Sequence, residues 1–351
     1  MLDGLRAVAR FFQTKIGWQR IGLLLSIVII GVALVVLVHM LRDLDTDEVI
    51  DALKSTEPHQ IVLAALFVAG GYFTLTFYDW FALRTIEHPE IPYRTAALAG
   101  FTSYAVGHNI GATVFTGGAV RYRIYSLYGL TAVDVAKICF VAGLTFWLGN
   151  AAVLGLSIAI EPQAAGPITQ LPGWVNRSLA ILILGILFSY LAWVWSARRE
   201  IGRGDWRVCL PSGPSTLVQI GIGILDLGFC ALAMYTLLPN EPNIGFVTLL
   251  VVFVSATLLG FASHAPGGLG VFDAAMLVAL WQFDKEDLVA GLLLFRVLYY
   301  LVPFALALSI LGAREVWLNM HGKHVPARPL TKVPVAAPLK TELQTEDTEQ
   351  A

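Results

Sequence analysis

The sequence is poor in charged residues and in cysteine. Only 14% of its 351 residues are Asp, Glu, Lys or Arg, and the net charge is -2. A soluble domain carries about 25% charged residues, and a nucleic-acid-binding protein concentrates positive charge. This composition therefore excludes a typical soluble enzyme and a nucleic-acid partner. The three cysteines, Cys139, Cys209 and Cys230, form no C-x-x-C pair, so the sequence predicts neither a disulfide framework nor a zinc site.

Long apolar segments dominate the chain instead. Hydrophobic residues make up 57% of the sequence, and the mean hydropathy is +0.71. A helix needs about 20 apolar residues to cross the hydrocarbon core of a bilayer. Six segments meet this length: Ile21–Leu41, Gln60–Leu83, Val133–Ile160, Arg177–Ala197, Thr216–Leu238 and Leu288–Gly312. The expected fold class is an all-α polytopic integral membrane protein with about six full spans, the first of them uncleaved.

Two further apolar regions are interrupted by glycine and proline. Thr95–Gly118 contains Gly107-His108-Asn109-Ile110-Gly111, and Ile244–Phe283 contains the run from Ser263 to Gly270. Glycine and proline break a helix, and at membrane depth a break is tolerated only where protein or a wet cavity covers the freed backbone groups. Each region is therefore predicted to be a helix, a break and a second helix. Whether each pair re-enters on its own side or forms half-helices that cross stays open.

The two breaks share the spacing H-x-x-G, at His108 and at His264. When both regions return the chain to the side it left, one opens from the inside and the other from the outside, as an inverted repeat does. The same topology puts most of the 23 Lys and Arg residues inside and both termini in the cytoplasm. The predicted organisation is a basic N-terminus over residues 1–20, a membrane domain over 21–313 and a largely disordered cytoplasmic tail over 314–351.

Ionisable side chains inside spans are costly and mark candidate functional sites. Arg296 lies in the last span, where we expect Asp273, Asp226 or a lipid phosphate as its partner; a structural ion pair between helices is the alternative. Asp226 lies mid-span, either as the partner of Arg296 or as a functional group. Asp79 lies near a span end, where snorkelling to the interface is the simpler interpretation.

The break that contains Gly267 and Gly268 is a candidate anion site. Its glycines free a run of backbone N–H groups, and the helix that begins near Val271 points its positive end at them. A structural kink is the alternative interpretation. His108 and His264 are either satisfied core residues or polar residues of a cavity.

Arg121 and Arg123 follow Gly117-Gly118 at the predicted cytoplasmic surface. They are either ordinary positive-inside charge or a clamp for anionic lipid headgroups, since Arg pairs bidentately with phosphate.

Three stretches resemble the lysylphosphatidylglycerol synthase transmembrane-region family, the membrane half of the bacterial multiple peptide resistance factor. They are the Gly117–Arg121 stretch, the Pro266–Asp273 run and Arg296-x-x-Tyr299-Tyr300-x-x-Pro303. The resemblance covers roughly residues 15–315. It implies a flippase-like domain that moves a phospholipid, in the best-understood case aminoacylated phosphatidylglycerol, between leaflets of the bacterial inner membrane.

The resemblance also sets the expected partners and alternatives. Full-length members add a soluble aminoacyltransferase domain that the sequence is expected to lack, so no catalytic residue, cofactor or metal is predicted. A scaffold for a separate lipid-modifying transferase is one alternative. A membrane-embedded lipid transferase with His108, His264 and Asp273 as acid–base groups is another. The expected phospholipid-binding residues are Arg296, Asp273, Gly267, Gly268, Arg121, Asp226, His108, His264 and Tyr299.

Overall fold

The computed structural model describes residues 56–203, 206–239, 241–263 and 265–320, together with Asp47, Ile50, Asp51 and Lys54. Within these ranges the ordered elements are helical apart from one two-stranded hairpin. The predicted first span Ile21–Leu41 and most of the predicted tail lie outside the described residues.

Six helices precede the hairpin in the part of the chain that the structure describes. Their bounds are α1 Pro58–Thr85, α2 Tyr93–Ile110, α3 Thr113–Tyr125, α4 Ala132–Ile160, the single turn α5 Gly166–Thr169 and α6 Gly173–Ser196. Short 3₁₀ turns follow α3 and α4. A capping box at Thr131 begins α4: the Thr131 hydroxyl accepts from the Asp134 amide, and the Asp134 carboxylate accepts from the Thr131 amide.

The second half begins with an antiparallel hairpin and continues as helices. The bounds are β1 Glu200–Arg203, β2 Trp206–Cys209, α7 Gly213–Leu237, α8 Phe246–Ala262, α9 Val271–Ala279, α10 Lys285–Phe295 and α11 Val302–Met320. A 3₁₀ turn, Pro266–Gly268, lies between α8 and α9. A π-helical turn, Arg296–Leu301, joins α10 to α11, so that Lys285–Met320 is one continuous apolar segment of 36 residues.

Among the described residues, five helical segments are long and apolar enough to cross a membrane: α1, α4, α6, α7 and the α10–α11 segment. They correspond to five of the six predicted spans, and the sixth lies outside the described residues. The chain is therefore an all-α polytopic membrane protein, as predicted. In α6 only 11% of the apolar window is buried within the bundle, so this helix presents most of its surface outward.

Both predicted helix breaks are present. Between α2 and α3, Gly111 has a φ of 81° and Ala112 a φ of 46°. Glycine adopts positive φ without steric cost, whereas Ala112 is strained by about 1–2 kcal/mol. Thr113 and Thr116 donate hydroxyl hydrogen bonds to the carbonyl oxygens of Gly107 and Gly111, at 3.2 and 2.9 Å. The Thr116 bond satisfies the Gly111 carbonyl, which has lost its helical donor, because the Phe115 N–H donates to Ala112 instead.

The order of elements repeats. A long helix, a broken pair and a second long helix occur first as α1, α2–α3 and α4, and again as α7, α8–α9 and α10–α11. Corresponding elements begin roughly 155 residues apart, which is also the separation of the two H-x-x-G motifs. This order agrees with the predicted repeat, with α6 as the connection between the two units.

Small residues allow close packing between the two units. A Cβ atom added to Gly149 on α4 would lie 2.7 Å from the Cα of Gly223 on α7, so the two backbones are in direct contact. Gly70 and Gly71 on α1 face Phe229 and Cys230 on α7 in the same way. Contacts between small residues are a main source of helix association in membranes.

Candidate functional site

A cavity of about 360 Å³ lies where the two broken regions meet. Gly111, Ala112 and Thr113 of the first break line one part of its wall, and Gly267 and Gly268 of the second break line another. Its volume is in the range of about 300–1,000 Å³ that is typical of small-molecule sites. Its wall also carries polar side chains from both halves of the chain: Tyr78, Tyr104, His108, Arg121, Asp226, Tyr299 and Tyr300.

Asp79 and Arg121 form a buried ion pair beside this cavity. The Arg121 Nε atom donates to both Asp79 oxygens at 3.0 Å, and Nη2 donates to Oδ1 at 2.7 Å. The Tyr125 hydroxyl donates to Oδ2 at 2.8 Å, and the guanidinium carbon lies 4.8 Å from the Tyr104 ring centroid. Gly117 leaves room for the guanidinium, because an added Cβ there would lie 3.2 Å from Nη1.

This pair corrects two interpretations of the sequence. Asp79 is fully buried and does not snorkel, and Arg121 is 3% exposed rather than a surface charge. The hairpin of α2 and α3 folds against α1, so the two side chains meet inside the bundle. Their bidentate pairing offsets the cost of burying both charges.

Asp226 is a buried carboxylate on the cavity wall. The Tyr78 hydroxyl donates to its Oδ2 at 3.0 Å, and the Thr74 hydroxyl lies 3.3 Å from Oδ1. The Thr74 hydroxyl has a single proton and lies closer, at 2.6 Å, to the Gly71 carbonyl oxygen. Tyr78 is therefore the stronger donor to Asp226. Asp226 is not the partner of Arg296, and in the described part of the chain no cationic side chain forms an ion pair with it.

Arg296 pairs with Asp273, one of its three expected partners. The Arg296 Nε atom donates to Oδ1 at 3.0 Å, Nη2 donates to Oδ2, and Nη1 donates to the Gly267 carbonyl oxygen at 3.4 Å. Arg296 is 6% exposed. The pair connects the glycine break to the π-helical turn. Arg296 and Asp273 do not line the cavity but hold these two segments of its wall together.

Three amide groups of the second break are already paired. The Gly270 N–H donates to the Asp273 carboxylate at 3.0 Å, and the Gly268 and Leu269 N–H groups donate to the carbonyl oxygens of Ala265 and Pro266. The sequence predicted a run of free amides that would bind an anion. In the structure the Asp273 carboxylate, in the first turn of α9, accepts from the Gly270 N–H, so this amide is not free.

His108 and Tyr299 lie together on the cavity wall. The His108 ring centroid is 5.5 Å from that of Tyr104 and 6.1 Å from that of Tyr299, and its Nδ1 atom is buried without a hydrogen-bond partner in the described part of the chain. The π-helical turn frees the carbonyl oxygens of Tyr299 and Tyr300. The Tyr72 hydroxyl and the Asn109 amide donate to them at 3.0 and 3.2 Å.

The structure thus brings Arg121, Asp226, His108, Tyr299, Gly267 and Gly268 to one cavity, while His264 lies outside the described residues. The sequence interpretation missed Tyr78 and Asn109. A tyrosine hydroxyl and an amide inside apolar spans were the available signal, since polar groups buried in lipid need partners.

The family described as "Lysylphosphatidylglycerol synthase TM region" matches residues 21–307. The chain belongs to this family. The matched range begins at the first residue of the predicted span Ile21–Leu41 and includes both breaks and both ion pairs.

Family members of two kinds are similar to this chain. The uncharacterized protein slr0712 of Synechocystis is 28% identical over 70% of this chain and 76% of its own length. The inner membrane protein YbhN of Escherichia coli is 27% identical over 83% of this chain and 91% of its own length. A phosphatidylglycerol lysyltransferase of Staphylococcus haemolyticus is 24% identical over 78% of this chain, which is only 32% of the lysyltransferase.

Proposed function

We propose that the chain moves a phospholipid between the leaflets of the bacterial inner membrane. The lipid headgroup enters the central cavity while the acyl chains stay in the hydrocarbon. Membership of a lipid-related membrane family supports this proposal, and so does a polar cavity bordered by two broken helices. Transporters build substrate sites at mid-membrane from such breaks.

The burial of Asp226 without a cationic partner is the observation that carries the proposal. Arg121 and Asp79 neutralise each other, as do Arg296 and Asp273. Asp226 is 5% exposed, and no described cation forms an ion pair with it. An unpaired buried carboxylate costs several kcal/mol, and a cationic group of a ligand would offset this cost.

The cavity therefore suits an amino-bearing headgroup. The rings of Tyr78, Tyr104, Tyr299 and Tyr300 line it, and an ammonium group is attracted to aromatic faces. Arg121 uses Nε and Nη2 for Asp79, so its Nη1 atom is the candidate donor to the lipid phosphate. Phosphatidylethanolamine and aminoacylated phosphatidylglycerol both combine an ammonium group with a phosphate.

A leaflet-exchange assay tests the proposal. Purified protein is placed in liposomes that contain phosphatidylethanolamine labelled with a fluorophore on an acyl chain, and an impermeant quencher reports the exposed fraction. We expect faster exchange than in empty liposomes, and a slower rate for Asp226→Asn. Asp287→Asn, which removes an exposed carboxylate, serves as the matched control and keeps the wild-type rate. A wild-type rate in Asp226→Asn would contradict the assigned role of this carboxylate.

A second candidate is a membrane subunit for a separate lipid-modifying enzyme. The lysyltransferase relatives favour it, because the region similar to this chain is about a third of a larger protein. Exchange that stays at the level of empty liposomes for amino-bearing, anionic and zwitterionic lipids would favour this role over translocation.

A further inference from the structure

An apolar groove of about 800 Å³ opens on the side of the bundle between α3 and α4. Val114 and Phe115 of α3 and Phe140 and Trp147 of α4 line it, and Trp206 of β2 lies at one end. Phe115 is 79% exposed and Trp147 is 55% exposed. Side chains of this size on a membrane-spanning bundle contact lipid hydrocarbon, so the groove faces the interior of the bilayer.

The groove adjoins the central cavity. Val114, Phe115, Cys139, Gly143 and Trp147 line both spaces. One molecule that passes between these side chains would occupy both, with a polar end near Asp226 and an apolar end between α3 and α4. A phospholipid has this division between headgroup and acyl chain.

The length of the groove matches one leaflet. Its wall follows α4 from Ala132, the first residue of the helix, to Trp147 near the middle. At about 1.5 Å per residue this distance is roughly 22 Å. A bilayer with its headgroup regions is about 40–45 Å thick, so one leaflet is about 20–22 Å thick. The groove thus runs from the membrane surface at which α4 begins to the centre of the bilayer, where it meets the cavity.

The equivalent position in the second unit is filled. By the order of elements, the gap between α9 and α10 corresponds to the gap between α3 and α4. There Phe272 and Phe295 stack with their ring centroids 6.2 Å apart, and the Phe253 ring of α8 packs edge-on against them at 5.6 and 5.4 Å. All three rings are buried. The two units therefore differ: one gap is open to lipid, and the other is packed with aromatic rings.

We propose that the α3–α4 gap is a lateral port for phospholipid. A lipid in the leaflet on the side where α4 begins passes its headgroup through the gap into the central cavity, while an acyl chain occupies the groove. The port rests on the proposed translocation and specifies its entrance. The aromatic cluster of Phe253, Phe272 and Phe295 closes the corresponding port to the other leaflet in this structure.

Photo-cross-linking tests the port directly. Liposomes contain phosphatidylethanolamine with a diazirine on one acyl chain, and cross-linked peptides are mapped by mass spectrometry after irradiation. We expect more cross-links on the groove faces of α3 and α4 than on the outward-facing helix α6. Excess unlabelled phosphatidylethanolamine should reduce them selectively.

A matched pair of variants supplies the control. A Cβ added at Gly143 in the groove, or at Gly185 on α6, has no other atom within 4 Å. Gly143→Trp fills the groove, and we expect loss of groove cross-linking and of lipid exchange. Gly185→Trp adds the same side chain at an exposed position and should retain both.

The outcomes separate the port from the proposed function. Groove cross-links no more frequent than those on α6 would overturn the port, and this wild-type measurement needs no variant to fold. Wild-type exchange in Gly143→Trp, together with slow exchange in Asp226→Asn, would overturn the port and leave translocation supported. Selective groove cross-linking without exchange would support lipid entry at the port and contradict translocation.

Discussion

Removing one partner of the Asp79–Arg121 pair should destabilise the protein strongly. Asp79→Leu leaves the guanidinium of Arg121 inside the bundle, where Arg121 is 3% exposed and water cannot replace the carboxylate. Breaking a buried ion pair costs about 3–5 kcal/mol, because the remaining charge is uncompensated. Removing both charges with Asp79→Leu and Arg121→Met should cost far less. In this double variant the Tyr125 hydroxyl has lost its acceptor. Adding Tyr125→Phe removes this hydroxyl and should recover about 1 kcal/mol of stability.

The free energy of unfolding can be measured in mixed micelles by titration with dodecyl sulfate, with helical circular dichroism as the signal. The matched control is Asp51→Leu, which breaks the exposed contact between Asp51 and Lys54 and should leave unfolding unchanged. The reasoning is refuted when Asp79→Leu costs less than about 1 kcal/mol, or when the double variant is as unstable as the sum of the two single variants.

Two further substitutions test the packing and the second break. Gly223→Ala should lower the free energy of unfolding by about 1–3 kcal/mol, because the new Cβ would lie 2.6 Å from the Gly149 Cα. Gly221→Ala on the same helix meets open space and should leave stability unchanged. Thermal unfolding of the two variants tests this difference. Arg296→Lys should slow lipid exchange nearly as much as Arg296→Ala, because one ammonium group cannot replace the guanidinium group that binds both Asp273 and the Gly267 carbonyl. A wild-type exchange rate in the Lys variant would show that the positive charge alone suffices.

The sequence predicted the spans and the breaks because both signals are local. The α1 helix, Pro58–Thr85, extends the predicted Gln60–Leu83 by only two residues at each end, since an apolar run defines a span directly. The breaks coincide with glycines that adopt positive φ, which few other residues tolerate. Arg296 and Asp273 could also be predicted as partners, because both follow the second break and are separated by only 23 residues.

The Asp79–Arg121 pair was not predicted, because it depends on tertiary packing. Asp79 lies near the end of a span, where a single sequence indicates the membrane interface. Arg121 lies on the second helix of a hairpin whose direction the sequence left open. Only the folding of α2 and α3 against α1 brings them together. The shared cavity has the same origin, since its walls come from residues as far apart as Tyr78 and Tyr300.

The helix α6 contributes no residue to the cavity wall, yet the cavity depends on it. When the broken pair returns the chain to the face it left, as the charge distribution predicts, each three-element unit contains two crossings and begins and ends on the same face of the membrane. A single added crossing inverts the membrane orientation of every element that follows it. Two copies joined without α6 would send both broken pairs into the bilayer from the same face, and the breaks would not meet. A gene duplication could therefore yield this architecture only with an odd number of crossings at the junction, and α6 is the shortest such solution.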